Sequence, residues 1–159
     1  MNTNFSIRRL NSQLLKESNA RELIWNVFLE FEGPDYSEEG VNEFKNFIDL
    51  NSLVKLIDEN KLFMWGYFEA DKIVGVVAFR DPCHVSLLFV NKNYHKRGIA
   101  SKLYQVGLNY FIENFQVKKV TVNSSPYAIK AYEKLGFTKT DEIQIVHGIK
   151  FLPMESALT

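Results

Sequence analysis

The chain has 159 residues, 46% hydrophobic and 24% charged, with 19 Lys and Arg balancing 19 Asp and Glu. That length suits one domain that buries its own core, and neutrality excludes a global field drawing it onto nucleic acid or an anionic membrane. One cysteine, Cys83, excludes an internal disulfide, and beside three scattered histidines, His84, His95 and His147, it leaves too few soft ligands for a zinc site.

A single domain over residues 1–159 is expected, with no metal. The first residues lack the apolar core of a signal peptide, and no later run approaches the roughly 18 apolar residues of a membrane span. These features predict a cytoplasmic protein with no nucleic-acid or membrane partner.

Phe5 and Ile7 alternate with polar positions and predict a short first strand. Leu23, Ile24, Val27, Phe28 and Phe31 recur at helical spacing, with Ser18 or Asn19 as cap and Gly33 and Pro34 as the stop. Ser37 then caps a second helix that carries Glu38 and Glu39 in its first turn, where the helix dipole favours negative charge. Val41, Phe44, Phe47 and Ile48 are its expected buried side. SLVKLIDEN, residues 52–60, reads as less regular.

From Leu62 the pattern turns to strands. LFMWGYFE, IVGVVAFR and CHVSLLFV are rich in β-branched and aromatic residues and are joined by hairpin-length breaks, which predicts an antiparallel meander. Helical spacing returns from Arg97 to Asn114. KKVTVN is the next strand, PYAIKAYEKLG a helix closed by Gly136, and EIQIVHGIKFLPM a hairpin turning at His147 and Gly148. The order predicts an α/β (α+β) fold, a mixed, mostly antiparallel sheet flanked by helices.

YHKRGIASKLY, residues 94–104, brings a basic cluster to the front of a helix. A helix N-terminus offers unpaired N–H groups and a partial positive charge to an anion, and Gly98 and Ala100 leave room for one. Ser101 adds a hydroxyl donor, and Lys92, Lys96, Arg97 and Lys102 have no acid among them. Taken alone, the stretch is equally a solvated first turn. It is neither a P-loop nor a dinucleotide fingerprint.

Residues His95-Lys96-Arg97-Gly98-Ile99-Ala100 resemble the Q/R-x-x-G-x-G/A signature of the GCN5-related N-acetyltransferases, with His95 in place of the usual first residue. VNSSPYAIKAYEKLGF, residues 122–137, is similar to the same family's later strand and helix. The resemblance is strongest over residues 87–137, and the order of elements extends it over nearly the whole chain. It implies acetyl-CoA as co-substrate and acetyl transfer to a primary amine of a small molecule or peptide, the acceptor itself being unspecified. The alternative of a different class is a non-catalytic acyl-CoA-binding regulatory module. A homodimer is admissible.

By this resemblance the pyrophosphate lies on the amides of Arg97, Gly98, Ile99, Ala100 and Ser101, in the loop that also holds His95 and Lys96. Backbone groups of Leu88, Phe89 and Val90 pair with the pantetheine arm, and Phe89 or Val90 N–H polarises the acetyl carbonyl. Asn123 contacts the cofactor or orders a water beside it. Tyr132 stands at the family's acid position, and a phenol can protonate a departing thiolate. The fourth strand lacks the carboxylate base that many relatives carry. His84 is the candidate base, alongside Glu30, Glu32 and Asp35 in the first helix-to-helix loop, or a water chain. Phe31, Tyr36 and Trp65 are candidates for an aromatic acceptor pocket. A covalent route through Cys83 is set aside, because neighbouring side chains of a strand, Cys83 and His84, point to opposite faces.

Overall fold

A computed structural model of the protein describes residues 4–158. β1 (Phe5–Arg9) pairs with β2 (Phe63–Glu69), and the expected meander follows through β3 (Lys72–Arg80) and β4 (His84–Val90), all antiparallel. β5 (Lys119–Ser124) joins β4 in parallel, and β8 (Ile149–Ala157) runs antiparallel to β5. Two short strands, β6 (Thr138–Lys139) and β7 (Gln144–Val146), also pair with β8. The sheet order is β1-β2-β3-β4-β5-β8-β6. The mixed, mostly antiparallel sheet is as the sequence predicts.

The helices divide between the faces. α1 (Ser12–Glu17), α2 (Ala20–Phe31), α3 (Glu38–Phe47) and α4 (Leu50–Asp58) cover one face, over a core that includes Ile24, Phe28, Ile48, Met64, Val76 and Phe89. α5 (Ile99–Asn114) and the short α6 (Ile129–Lys134) cover the other, over Val77, Phe79, Leu103, Phe111, Val120 and Tyr132. Strand alternation explains the division: Val76 and Ala78 serve one core, Val77 and Phe79 the other. α5 comes close to the sheet because Gly107 lies against the Phe79 ring, where a Cβ would collide.

Several local readings change. α1 is not among the sequence-predicted elements, yet Asn11 caps it by accepting from Leu14 N–H at 2.8 Å. Neither proposed cap serves α2 in the usual way, since Asn19 occupies the cap position with φ of 62° and makes no side-chain capping bond. The segment read as less regular is α4, whose cap is Asp49, accepting from Ser52 N–H. Phe47 is exposed rather than buried, whereas Ile48 is fully buried. Ser37 does cap α3, and its N–H donates to Gly148 O in the hairpin turn between β7 and β8. Among the described residues no helix is long and apolar enough to cross a membrane.

Candidate active site

β4 and β5 are paired only at His84 with Thr121 and Val85 with Val122, although β4 continues to Val90 and β5 to Ser124. A register shift opposite Ala78 and Phe79 leaves Ser86 as the extra residue of a bulge where the pairing stops. From there to Val90, no strand among the described residues lies beside the β4 edge. Asn91 N–H donates to Val74 O of β3 at 2.8 Å, so alternation turns the backbone groups of Leu88 and Val90 away from β3 and into the gap. Phe89 has the opposite sense, with its backbone directed to β3 and its side chain in the core.

The gap opens into a cleft of about 230 Å³. One wall is the β4 edge, Leu88 to Val90, and the opposite wall is Tyr127, Ala128, Ala131 and Tyr132 of α6 and the turn before it. Tyr94, His95, Lys96, Gly98, Ile99 and Ala100 form the end at the start of α5, while Val27 and Glu32 of α2 and its C-terminal cap complete the lining. Gly98 is the α5 cap, with φ of 76°, and no atom of the described residues lies within 4 Å of the place a Cβ would occupy. That conformation disfavours other residues, and the open space above it is the clearance an anion needs to reach the helix amides. Lys96, also left-handed at φ of 63°, turns the chain into the helix. His95 Nε2 donates to Val90 O at 2.7 Å, tying this loop to the end of β4.

Tyr132 is 7% exposed, its ring edge-on to Phe137. Burial pushes its phenol well above the ordinary tyrosine range, and the nearby Glu32 charge adds to the rise. Glu32 caps the C-terminal end of α2, its N–H donating to Phe28 O at 2.9 Å. Burial raises its carboxyl from 4.5 to about 7, and a hydrogen bond from Ser125 offsets part of the rise. Helix carbonyls ending at this point also disfavour a negative charge. Ser125 is itself buried and accepts from Ala128 N–H at 3.3 Å, so one hydroxyl joins the carboxyl to the start of the α6 wall.

The sequence candidates separate into two groups. Leu88, Phe89, Val90, His95, Lys96, Gly98, Ile99, Ala100 and Tyr132 all line the cleft. Arg97 and Ser101 are exposed outside it, the Arg97 guanidinium lying 4.9 Å from the Tyr94 ring centre. Asn123 is exposed on β5 opposite Pro153 and is not brought to the cleft. His84 is not brought there either. It lies at the far end of β4, its Nδ1 2.8 Å from Thr121 Oγ1, and burial with the Arg80 charge lowers its pKa to about 4.

Of the acidic loop, Glu30 pairs outside the cleft with Lys92 at 3.1 Å, Asp35 is exposed, and only Glu32 enters the lining. Phe31 stacks on Tyr127 at 4.9 Å and tilts against His95 at 5.4 Å, making an aromatic rim, with Tyr36 packed edge-on to Phe28. Trp65 belongs instead to the core, beneath Arg9 and against Tyr110. Cys83 lies in the turn before β4 rather than in the strand. What disqualifies it as a nucleophile is therefore burial, which raises its thiol to about 11. Val27, Tyr94 and Tyr127 join the cleft without having been singled out from sequence. The spacing of Ala128, Ala131 and Tyr132, two small side chains beside a tyrosine on one helix face, was the readable signal.

A strand edge without a partner strand, leading to a helix N-terminus with open space above it, defines a cleft for an extended ligand with an anionic end. The acetyltransferase (GNAT) domain family matches residues 32–158, and the chain belongs to that family. Solved structures of the same fold include a GCN5-related N-acetyltransferase from Rhodopseudomonas palustris, 16% identical, with a TM-score of 0.80 over 99% of each chain. The PaiA N-acetyltransferase of Thermoplasma acidophilum, in complex with coenzyme A, is 16% identical with a TM-score of 0.77 over 98% of this chain and 99% of that one. The IAA acetyltransferase of Bacillus cereus is 15% identical with a TM-score of 0.62 over 98% and 100%. No curated protein sequence matches the chain.

Proposed function

We propose that this protein transfers the acetyl group of acetyl-CoA to a primary amine of a small molecule or peptide. The observation that carries the reading is the cleft itself, in which the unpaired edge of β4, the cleared N-terminus of α5 and the buried Tyr132 phenol share one space. The residues present suit the co-substrate. The amide-bearing arm would lie along the Leu88 and Val90 backbone groups as an added strand, and the pyrophosphate would take the amides from Gly98 to Ser101. Arg97, held over Tyr94, and the exposed Ser101 hydroxyl would meet the phosphates outside the cleft. The family and the coenzyme A complex of the Thermoplasma protein support this donor.

The inward N–H groups of Leu88 and Val90 are the donors suited to polarise the acetyl carbonyl, whereas that of Phe89 is directed to β3. Tyr132 supplies the proton for the leaving thiolate. Its burial keeps the phenol protonated throughout the neutral range, and the same dry surroundings raise the proton affinity of the thiolate it serves. The test is release of free thiol from acetyl-CoA over a panel of amines and peptides. Amine-dependent release is expected; saturable acetyl-CoA binding without such release would replace this reading with that of a non-catalytic acyl-CoA-binding module.

A further inference from the structure

Glu32 is the one carboxylate among the described residues that line the cleft. It enters from α2, which packs on the sheet face opposite α5 and α6, and meets the cleft beside the α6 wall through Ser125. Its charge acts on three phenols, Tyr36 after α2, Tyr127 before α6 and Tyr132 on α6. The other ionisable groups of the lining are Tyr94, whose hydroxyl donates to Glu69 Oε1 at 2.6 Å, His95, whose Nε2 is engaged by Val90 O, and Lys96. Asp35 is close in sequence but exposed. His95 keeps an open lone pair on Nδ1 but is held at the rim against Phe31, so among the described lining residues Glu32 is the proton acceptor that lies beside Tyr132.

We infer that Glu32 is the catalytic proton acceptor of the acetyl transfer, and that the acceptor is a primary amine arriving as its ammonium ion. The inference rests on the acetyl-transfer reading above. The Glu32 carboxylate takes one ammonium proton, and the freed nitrogen lone pair forms a bond to the acetyl carbon while the carbonyl π pair moves to oxygen. That pair returns as the C–S bond breaks, sulfur takes the Tyr132 proton, and the new amide nitrogen returns its surplus proton to the Tyr132 oxygen. Glu32 releases its proton to solvent, so ammonium and thioester yield amide, thiol and one proton. An ordinary carboxylate lies about 6 units below an alkylammonium in pKa, and at about 7 the gap narrows to roughly 3. The three phenols are pushed upward and stay neutral, so they do not compete for the proton.

The test compares the wild type with Glu32→Gln in three measurements. Carboxyl 13C NMR on the wild type, assigned by the signal absent from the variant, is expected to titrate near pH 7. Titration near 4.5 overturns the inference whatever the activity. Calorimetry with acetyl-CoA is expected to give affinities within about twofold of each other. With an amine that supports thiol release, kcat/KM of the variant at pH 7 is expected to fall about 100-fold and to lose the wild-type rise centred near 7. If both proteins bind and turn over acetyl-CoA with the same pH profile, Glu32 has no catalytic role while the acetyl-transfer reading stands. If the wild type does not bind acetyl-CoA, that reading falls and takes the inference with it.

Discussion

Replacing Glu32 with Gln should stabilise the protein at pH 8. Below about pH 4.5 the carboxyl is protonated in both the folded and unfolded chain and contributes nothing to pH dependence. Between 4.5 and about 7 the unfolded chain ionises while the folded chain holds its proton, so stability falls as pH rises. Above 7 both are ionised, and the folded state carries the full cost of a charge held out of water. The rise from 4.5 to about 7 is about 2.5 units, at 1.36 kcal/mol each, or at most about 3 kcal/mol. For a chain of this length that corresponds to a rise in Tm of up to about 6–12 °C. Scanning calorimetry of both proteins from pH 4 to 8 provides the assay, and the difference between them cancels every other titrating group. The gap should be small at pH 4, widen through pH 5 to 7 and level off above. A gap that is constant over this range, or a variant less stable at pH 8, would mean that the folded chain does not hold the Glu32 carboxyl above its ordinary value.

Tyr132→Phe keeps the ring against Phe137 and removes only the hydroxyl, so kcat should drop about 100-fold with acetyl-CoA affinity nearly unchanged; unaltered kcat would remove Tyr132 from the mechanism. Gly98→Val places a branched side chain in the open space above α5 and forces it into a φ of 76°, and calorimetry should show acetyl-CoA binding weakened at least about tenfold. His84 contributes with the opposite sign to Glu32. The unfolded imidazole takes its proton below about 6.5 and the folded one only near 4, so stability is lost as pH falls between them, by about 3 kcal/mol in full. Denaturant melts of His84→Gln should accordingly show a shallower acid limb. Cys83, buried and raised to about 11, should resist alkylation at pH 7.5 in the folded protein and react stoichiometrically in denaturant.

The central strands were legible because each is a long apolar run between hairpin-length breaks, and α5 because its apolar stripe extends over 16 residues. The turn at His147 and Gly148, with φ of 51° and 78°, was carried by the residues that tolerate it. α1 was missed because six residues have little stripe to show and its signal is the Asn11 cap, whereas α4 does carry a stripe, Leu50, Leu53, Val54 and Ile57 behind the Asp49 cap, that was readable and was read as less regular. Phe47 and Trp65 show the limit of hydrophobicity as a guide, the first exposed despite its apolar spacing, the second absorbed into the core instead of a pocket.

The chain's local chemistry determined the sheet-forming runs, the glycine at the start of α5 and the tyrosine on α6, each readable from neighbours a few residues away. Tertiary structure decided which of them meet. The parting of β4 from β5 after two residue pairs depends on strands whose partnered residues lie 37 positions apart, and no local pattern encodes where such pairing stops. His84 and Glu32 were both candidates in sequence. Packing closed the first against Thr121 at one end of β4 and brought the second, through the C-terminus of α2 and the Ser125 hydroxyl, beside Tyr132. A carboxylate's basicity follows from the water it loses and the charges it gains, and both are properties of the folded surroundings rather than of the residue.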